Sequence, residues 1–95
     1  MGAPPDLSVP IARHVIGSAN VHWVGYDEPS QTLEIAFHSG HTYRYGGVDR
    51  AIALPLLEDG EQRRIATETL GRWSYGGYVA LIFRVGGRFP YVRVE

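Results

Sequence analysis

The sequence predicts a small α+β domain in which a three-stranded antiparallel meander packs on two or three short helices and a strand follows at the C-terminal end. Two patterns point to this class. Residues 21–45 alternate between apolar and polar side chains and contain turn residues at two points. Residues 50–70 are helix-prone, and residues 89–94 return to strand-forming residues. The 95 residues, 44% of them hydrophobic, suffice for one core.

The N-terminal ten residues contain three prolines and one glycine. This composition predicts a disordered or loosely attached arm over residues 1–10, with a single domain over residues 11–95. Residues 11–16 are apolar enough to form an edge strand or a lead-in to the first strand of the meander.

The meander is expected to comprise strands at residues 21–26, 32–38 and 41–45. Pro29 favours a turn over residues 27–31. A five-residue turn would pair Tyr26 with Thr32. This register predicts a core face of Val21, Trp23, Leu33, Ile35 and Phe37, and an opposite face of His22, Val24, Tyr26, Glu34, Ala36 and His38.

The second turn, at Ser39-Gly40, leaves two alternatives open. A two-residue turn would place Tyr43 and Tyr45 on the opposite face and direct Arg44 toward the core. A three-residue turn would pair His38 with Thr42, bury both tyrosines and point Arg44 outward. The three-residue version is favoured because burying two aromatic rings costs less than burying an arginine.

The second half of the chain is expected to be mainly helical. Asp49 is suited to cap a helix over residues 50–57 that bends at Pro55, and a second helix over residues 61–70 would end at Gly71. Residues 73–77 are predicted to form a loop. Residues 78–85 are compatible with either a helix or a strand, and residues 89–94 would form the closing strand.

Several motifs of this sequence resemble the KTSC domain, a family named for a short domain at the C-terminus of some lysyl-tRNA synthetases. The resemblance is good over residues 18–48 and looser over residues 74–94. The motifs in the first part are Ser18-Ala19-Asn20-Val21, Val24-Gly25-Tyr26-Asp27, Leu33-Glu34-Ile35-Ala36-Phe37, Ser39-Gly40, Tyr43-Arg44-Tyr45 and Val48. Those in the second part are Ser74-Tyr75-Gly76, Tyr78, Phe83-Arg84 and Phe89-Pro90-Tyr91-Val92-Arg93.

The resemblance implies a small α+β fold with a helix over residues 78–84. The chain is about a dozen residues longer between residues 48 and 74 than this family usually is, so the helix over residues 60–72 is expected to be an insertion. RNA binding is a function suggested for the family by its company with a tRNA synthetase, which is an argument from association.

Charge is distributed unevenly along the chain. All nine basic residues are arginines; residues 1–60 contain three of them against seven acidic residues, and residues 61–95 contain six against three. Guanidinium groups pair well with phosphate, so the second half could contact nucleic acid. Solvated arginines paired with neighbouring carboxylates would explain the same pattern.

The sequence offers no clear enzymatic machinery. It has no cysteine, no Gly-x-Ser-x-Gly elbow and no phosphate-binding loop, so an enzyme is not expected, nor is a cofactor. His38 and His41 lie at one turn without a certain third ligand, so no metal site is expected. The absence of a long apolar run predicts a cytoplasmic protein with no membrane partner.

Taken together, the residues predict a small non-enzymatic module that binds RNA or another phosphate-bearing nucleic acid. Arginines would contact phosphates and tyrosines would stack on bases. The alternative is a module that associates with itself or with a protein, such as a phage accessory homo-oligomer, which could hold a small phosphorylated, nucleotide-like ligand. The candidate binding residues are Tyr26, Tyr43, Arg44, Tyr45, Arg84, Arg88 and Arg93.

Overall fold

A computed structural model describes residues 3–16, 18–57, 60–71, 73–85 and 89–95. Its centre is an antiparallel sheet of five strands, arranged in the order in which they occur in the chain. The predicted meander therefore forms the middle of a larger sheet. The strands are β1 (His14–Val15), β2 (Val21–Asp27), β3 (Thr32–Phe37), β4 (Thr42–Tyr45) and β5 (Tyr91–Arg93).

Helices cover one face of this sheet. Helix α1 (Arg50–Ala53) is short and continues into turns before Leu57, helix α2 (Gly60–Leu70) follows, and helix α3 (Tyr75–Val79) continues as a π-helical segment, Ala80–Val85. The structure thus decides the ambiguity over residues 78–85 in favour of a helix. Among the described residues, no helix is both long and apolar enough to cross a bilayer.

The first hairpin has a different register from the predicted one. Asp27 pairs with Thr32, so four residues rather than five form the turn. The Asp27 carboxylate accepts hydrogen bonds from the Ser30 backbone (3.2 Å) and hydroxyl (2.6 Å), which closes the turn one residue earlier. Gln31 completes it with a positive φ of 52°.

This one-residue difference exchanges the two faces of β2. Val24 and Tyr26 lie opposite Ile35 and Leu33 on the helix side, whereas Trp23 lies opposite Ala36 on the other side. The predicted faces of Trp23, Val24 and Tyr26 are therefore wrong, although Trp23 is buried, at 7% exposed, on its own side of the sheet. A β-bulge between Val21 and Trp23 returns Val21 to the core, as predicted.

The second hairpin has the predicted orientation. Tyr43 lies opposite Ile35 and Tyr45 opposite Leu33, so both tyrosines are on the helix side. The Phe37 backbone N–H donates to the carbonyl of His41, which leaves a three-residue turn over residues 38–40. His38 is thus in the turn and does not pair with Thr42, whose partner is Ala36.

The N-terminal segment covers the other face of the sheet, although its composition predicts a loose arm. The Asp6 backbone N–H donates to the Thr32 hydroxyl at 3.0 Å, and Pro5 is buried. Gly25 and Gly46 allow the close approach, because a Cβ on Gly25 would lie 2.5 Å from Ile11 Cγ2 and one on Gly46 would lie 2.5 Å from the Pro5 nitrogen. We call residues 3–13 the covering segment.

Arg44 is held under this segment. Its Nε lies 2.8 Å from a Glu34 carboxylate oxygen, and its Nη1 donates to the carbonyls of Asp6 and Val9, both at 2.8 Å. The side chains of Arg44 and Glu34 are only 12% and 3% exposed. Arg44 therefore points away from the helices, as predicted, but it does not lie on an open surface.

Candidate nucleic-acid interface

An aromatic groove lies where strands β4 and β5 extend beside the π-helical segment. We call this space, with a volume of about 560 Å³, the aromatic groove. Its lining residues are Phe37, Tyr43, Tyr45, Phe83, Arg84 and Tyr91. Three of the seven predicted binding residues are among them.

The rings of this groove differ in accessibility. Tyr45 is only 5% exposed, and its ring centroid lies 4.8 Å from that of Phe83 and 5.9 Å from that of Tyr91. Its buried ring forms the floor of the groove, a position that does not support its predicted role as a stacking surface. Tyr43 is half-buried, and Tyr91 is 62% exposed. The accessible rings are therefore those of Tyr43 and Tyr91.

The charge of the groove comes from Arg84. Burial raises the pKa of Tyr45 to about 12, an effect that Tyr43 and Tyr91 increase and the Arg84 guanidinium opposes. A tyrosine is neutral at physiological pH even at its ordinary pKa near 10, so the Tyr45 hydroxyl adds no charge to the groove. Arg84 is exposed, and its guanidinium carbon lies 4.7 Å from the centroid of the Phe37 ring. Within the described part of the chain, no carboxylate lies within ion-pair distance of it.

Strand β5 adds two residues to the groove side of the sheet. Tyr91 pairs with Tyr45 and Arg93 pairs with Tyr43, so both face the groove side. Arg93 is exposed and its Nε donates to the backbone carbonyl of Glu95 at 3.0 Å. Tyr91 was absent from the predicted binding residues. The alternation of Tyr91 and Arg93 around Val92 is the signal that could have identified it.

Three other predicted binding residues do not join the groove as described. Arg44 lies on the opposite face, paired with Glu34. Tyr26 is half-buried at the other end of the helix-covered face, where its hydroxyl donates to the carbonyl of Val48 at 2.5 Å, and burial raises its pKa. Its role as a stacking surface is therefore not supported by its position. Arg88 lies outside the described residues.

Three of the four histidines, His22, His38 and His41, lie near one end of the sheet. The rings of His22 and His38 stack with their centroids 5.1 Å apart, and His38 Nε2 lies 2.9 Å from the carbonyl oxygen of Ser18. His41 is next to the groove, and its buried Nδ1 has no hydrogen-bond partner among the described residues. No group of three or more metal-ligating side chains occurs in the described ranges.

The sheet, its hairpins and the Tyr-x-Tyr strand are the features that a comparison with known proteins can test. The family model described as the KTSC domain matches residues 17–65, which is more than half of the chain. The chain belongs to the KTSC domain family. This confirms the resemblance read from residues 18–48; the motifs from Ser74 to Arg93 lie beyond the matched residues.

Solved structures agree with the fold of this KTSC domain. The crystal structure of a KTSC domain protein from Yersinia pestis matches it with a TM-score of 0.63 at 22% sequence identity. The match covers 90% of this chain and 100% of the Yersinia pestis chain. At this identity the similarity concerns the fold alone. No curated protein matches the chain.

Proposed function

We propose that this KTSC domain binds single-stranded nucleic acid, RNA in particular, in the aromatic groove. The observation that carries the proposal is the position of Arg84, an exposed guanidinium without a carboxylate partner among the described residues, beside two accessible rings. Single-stranded nucleic acid presents unpaired bases that stack on aromatic rings and phosphates that pair with arginine. Both kinds of partner are present in this groove.

The lining of the groove supports an anionic ligand. None of the described residues that line it is acidic, so a phosphate entering it meets a cation and no opposing carboxylate. Arg93 stands on the same side of β5 and extends the positive potential along the strand. The nearby carboxylate of Glu95 is engaged by Arg13 at 2.6 Å. Because the whole chain has a net charge of −1, we expect a nucleic acid to be attracted to this basic surface and not to the protein as a whole.

A fluorescence anisotropy titration with labelled single-stranded RNA and with tRNA, at about 50 and 200 mM salt, tests the proposal. We expect Arg84→Gln to weaken binding by about tenfold and to reduce the salt dependence by about one phosphate contact. The matched control is Arg64→Gln, which removes the same charge from an exposed arginine paired with Glu61 and Glu68. Absence of binding at about 50 mM salt would refute the proposal, because the phosphate attraction is strong there.

Strand β5 favours a second candidate function, self-association. It is one of the two edge strands of the described sheet, and Tyr91, Val92 and Val94 are 62%, 39% and 36% exposed. Exposed apolar edge strands pair readily with a strand of another chain. Light scattering of the purified protein separates the two candidates: a defined dimer that Val92→Lys converts to a monomer, and that has no affinity for RNA, would support self-association instead.

A further inference from the structure

Two further spaces follow the aromatic groove beyond Arg84, along the seam between the sheet and helix α3. A second space of about 210 Å³ shares Phe37 and Arg84 with it. A third space, of about 380 Å³, shares Asn20 and Gly76 with the second. The three spaces therefore lie one after another along this seam, and we call them together the trough; none of their described lining residues is acidic.

The far end of this trough repeats the chemistry of the aromatic groove. The guanidinium carbon of Arg63 lies 5.3 Å from the ring centroid of Trp73 and 4.8 Å from that of Tyr75. The two rings are arranged edge to face with centroids 5.4 Å apart. Arg63, Trp73 and Tyr75 all line the third space. We call these three residues the second platform.

Hydrogen-bonding capacity remains at the second platform. Arg63 donates from Nε to the carbonyl of Pro55 at 2.7 Å and from Nη2 to the Tyr75 hydroxyl, so two of its five N–H groups are engaged in the described contacts. The buried Nε1 of Trp73 has no hydrogen-bond partner within the described ranges. The three remaining N–H groups of Arg63 are therefore the donors that this platform offers to a polar ligand.

We infer that the trough is a single track for a nucleic-acid strand of several nucleotides. Bases stack at the aromatic groove and at the second platform, and the backbone passes Arg84 between them. This inference rests on the proposed function and adds a second contact point and the length of strand that is bound. A mononucleotide would occupy one end only, and a duplex would hide the base faces that both ends require.

The track predicts that affinity depends on strand length and that the second platform responds only to longer strands. The chain has two tryptophans, and Trp23 lies on the other face of the sheet beside Arg13, so Trp23→Phe leaves Trp73 as the single tryptophan, which can be excited selectively over the tyrosines. We would titrate this variant with uridine monophosphate and with oligouridylates of two, four and eight nucleotides. We expect binding to strengthen at least tenfold from the dinucleotide to the octanucleotide, and Trp73 emission to be quenched by the longer strands alone.

A second variant tests the second platform by the affinity for strands of different length. Tyr75→Ala should weaken octanucleotide binding by about fivefold or more, the effect of one lost stacking partner, and leave dinucleotide binding unchanged. Circular dichroism checks that the Tyr75→Ala variant is folded. The Trp73 fluorescence experiment uses the Trp23→Phe protein, so it remains valid even if Tyr75→Ala does not fold. An octanucleotide that binds no more tightly than the dinucleotide and leaves Trp73 emission unchanged, while Arg84→Gln still weakens binding about tenfold, overturns the track but not the proposed function. If no oligonucleotide binds at about 50 mM salt, both are overturned.

Discussion

Each face of the sheet has an arginine next to an aromatic ring, but the two arginines differ in their carboxylate neighbours. On the helix side, the Arg84 guanidinium carbon lies 4.7 Å from the Phe37 ring centroid, and on the other side that of Arg13 lies 4.1 Å from the Trp23 ring. Arg13 lies near the Glu34 carboxylate (3.9 Å) and pairs with Glu95 (2.6 Å). Arg84 has no such acidic neighbour among the described residues.

This difference separates structural arginines from available ones. Under the covering segment, Arg44 and Glu34 satisfy each other and the backbone, so the charges there stabilise a packed interface. In the aromatic groove, the Arg84 guanidinium has no carboxylate partner among the described residues, and no covering segment lies over the rings of Tyr43 and Tyr91. Arginine and aromatic residues together thus indicate a binding surface only where carboxylates and covering chain are absent.

The largest effect is expected on the covered face. Glu34→Gln removes the carboxylate that pairs with the buried Arg44 at 2.8 Å, so stability should fall by about 3–5 kcal/mol in urea unfolding. The control is Glu28→Gln, whose partner Arg50 is 65% exposed; that change should stay within about 1 kcal/mol. Equal losses for the two variants would contradict a structural role for the covered pair.

A smaller effect is expected at the floor of the aromatic groove. Burial raises the pKa of Tyr45 to about 12, above its value near 10 in the unfolded chain, so the unfolded state loses this proton first as pH rises. The contribution to stability is complete below pH 10 and lost by about pH 12, amounting to at most about 3 kcal/mol. Unfolding free energies of wild type and Tyr45→Phe, measured from pH 7 to 12, should diverge only at the alkaline end; a constant difference would contradict the burial.

A side chain at Gly46 should clash with the backbone of the covering segment. A Cβ there would lie 2.5 Å from the Pro4 carbonyl carbon and from the Pro5 nitrogen, both backbone atoms. Gly46→Ala should therefore cost about 1–3 kcal/mol and speed proteolysis within residues 3–13. In the control, Gly76→Ala, the added carbon meets only the exposed Asn20 side chain, so stability should change little. Similar losses in both variants would argue against the close backbone packing.

The smallest effect on stability is expected where binding should suffer most. Arg84→Gln removes an exposed cation–ring contact and no hydrogen bond or ion pair of the described residues, so unfolding should change by less than about 1 kcal/mol. Urea unfolding of this variant, beside its RNA titration, checks the contrast with Glu34→Gln. A loss as large as that of Glu34→Gln would make Arg84 a structural residue of the fold.

Much of the fold is predictable from the sequence. Period-two alternation located β2, β3 and β4, and the cost of burying Arg44 favoured the three-residue turn that directs Tyr43 and Tyr45 to the helix side, as observed. The candidate site was predicted only in part. Tyr45 and Arg84 were expected at the site, but Tyr91 was missed. Its place beside Tyr45 depends on the pairing of β5 with β4, which joins two tyrosines that are 46 residues apart in the sequence.

By itself, the sequence determined the α+β class and the succession of strands β2, β3 and β4, since these depend on local periodicity and turn residues. Only the tertiary structure decided which faces are open. The length of the first turn depends on hydrogen bonds from Ser30 to Asp27, and that one residue sends Trp23 to the covered face. The partner of Arg44, and the absence of one for Arg84 among the described residues, are set by contacts between segments distant in the chain, which local patterns do not encode.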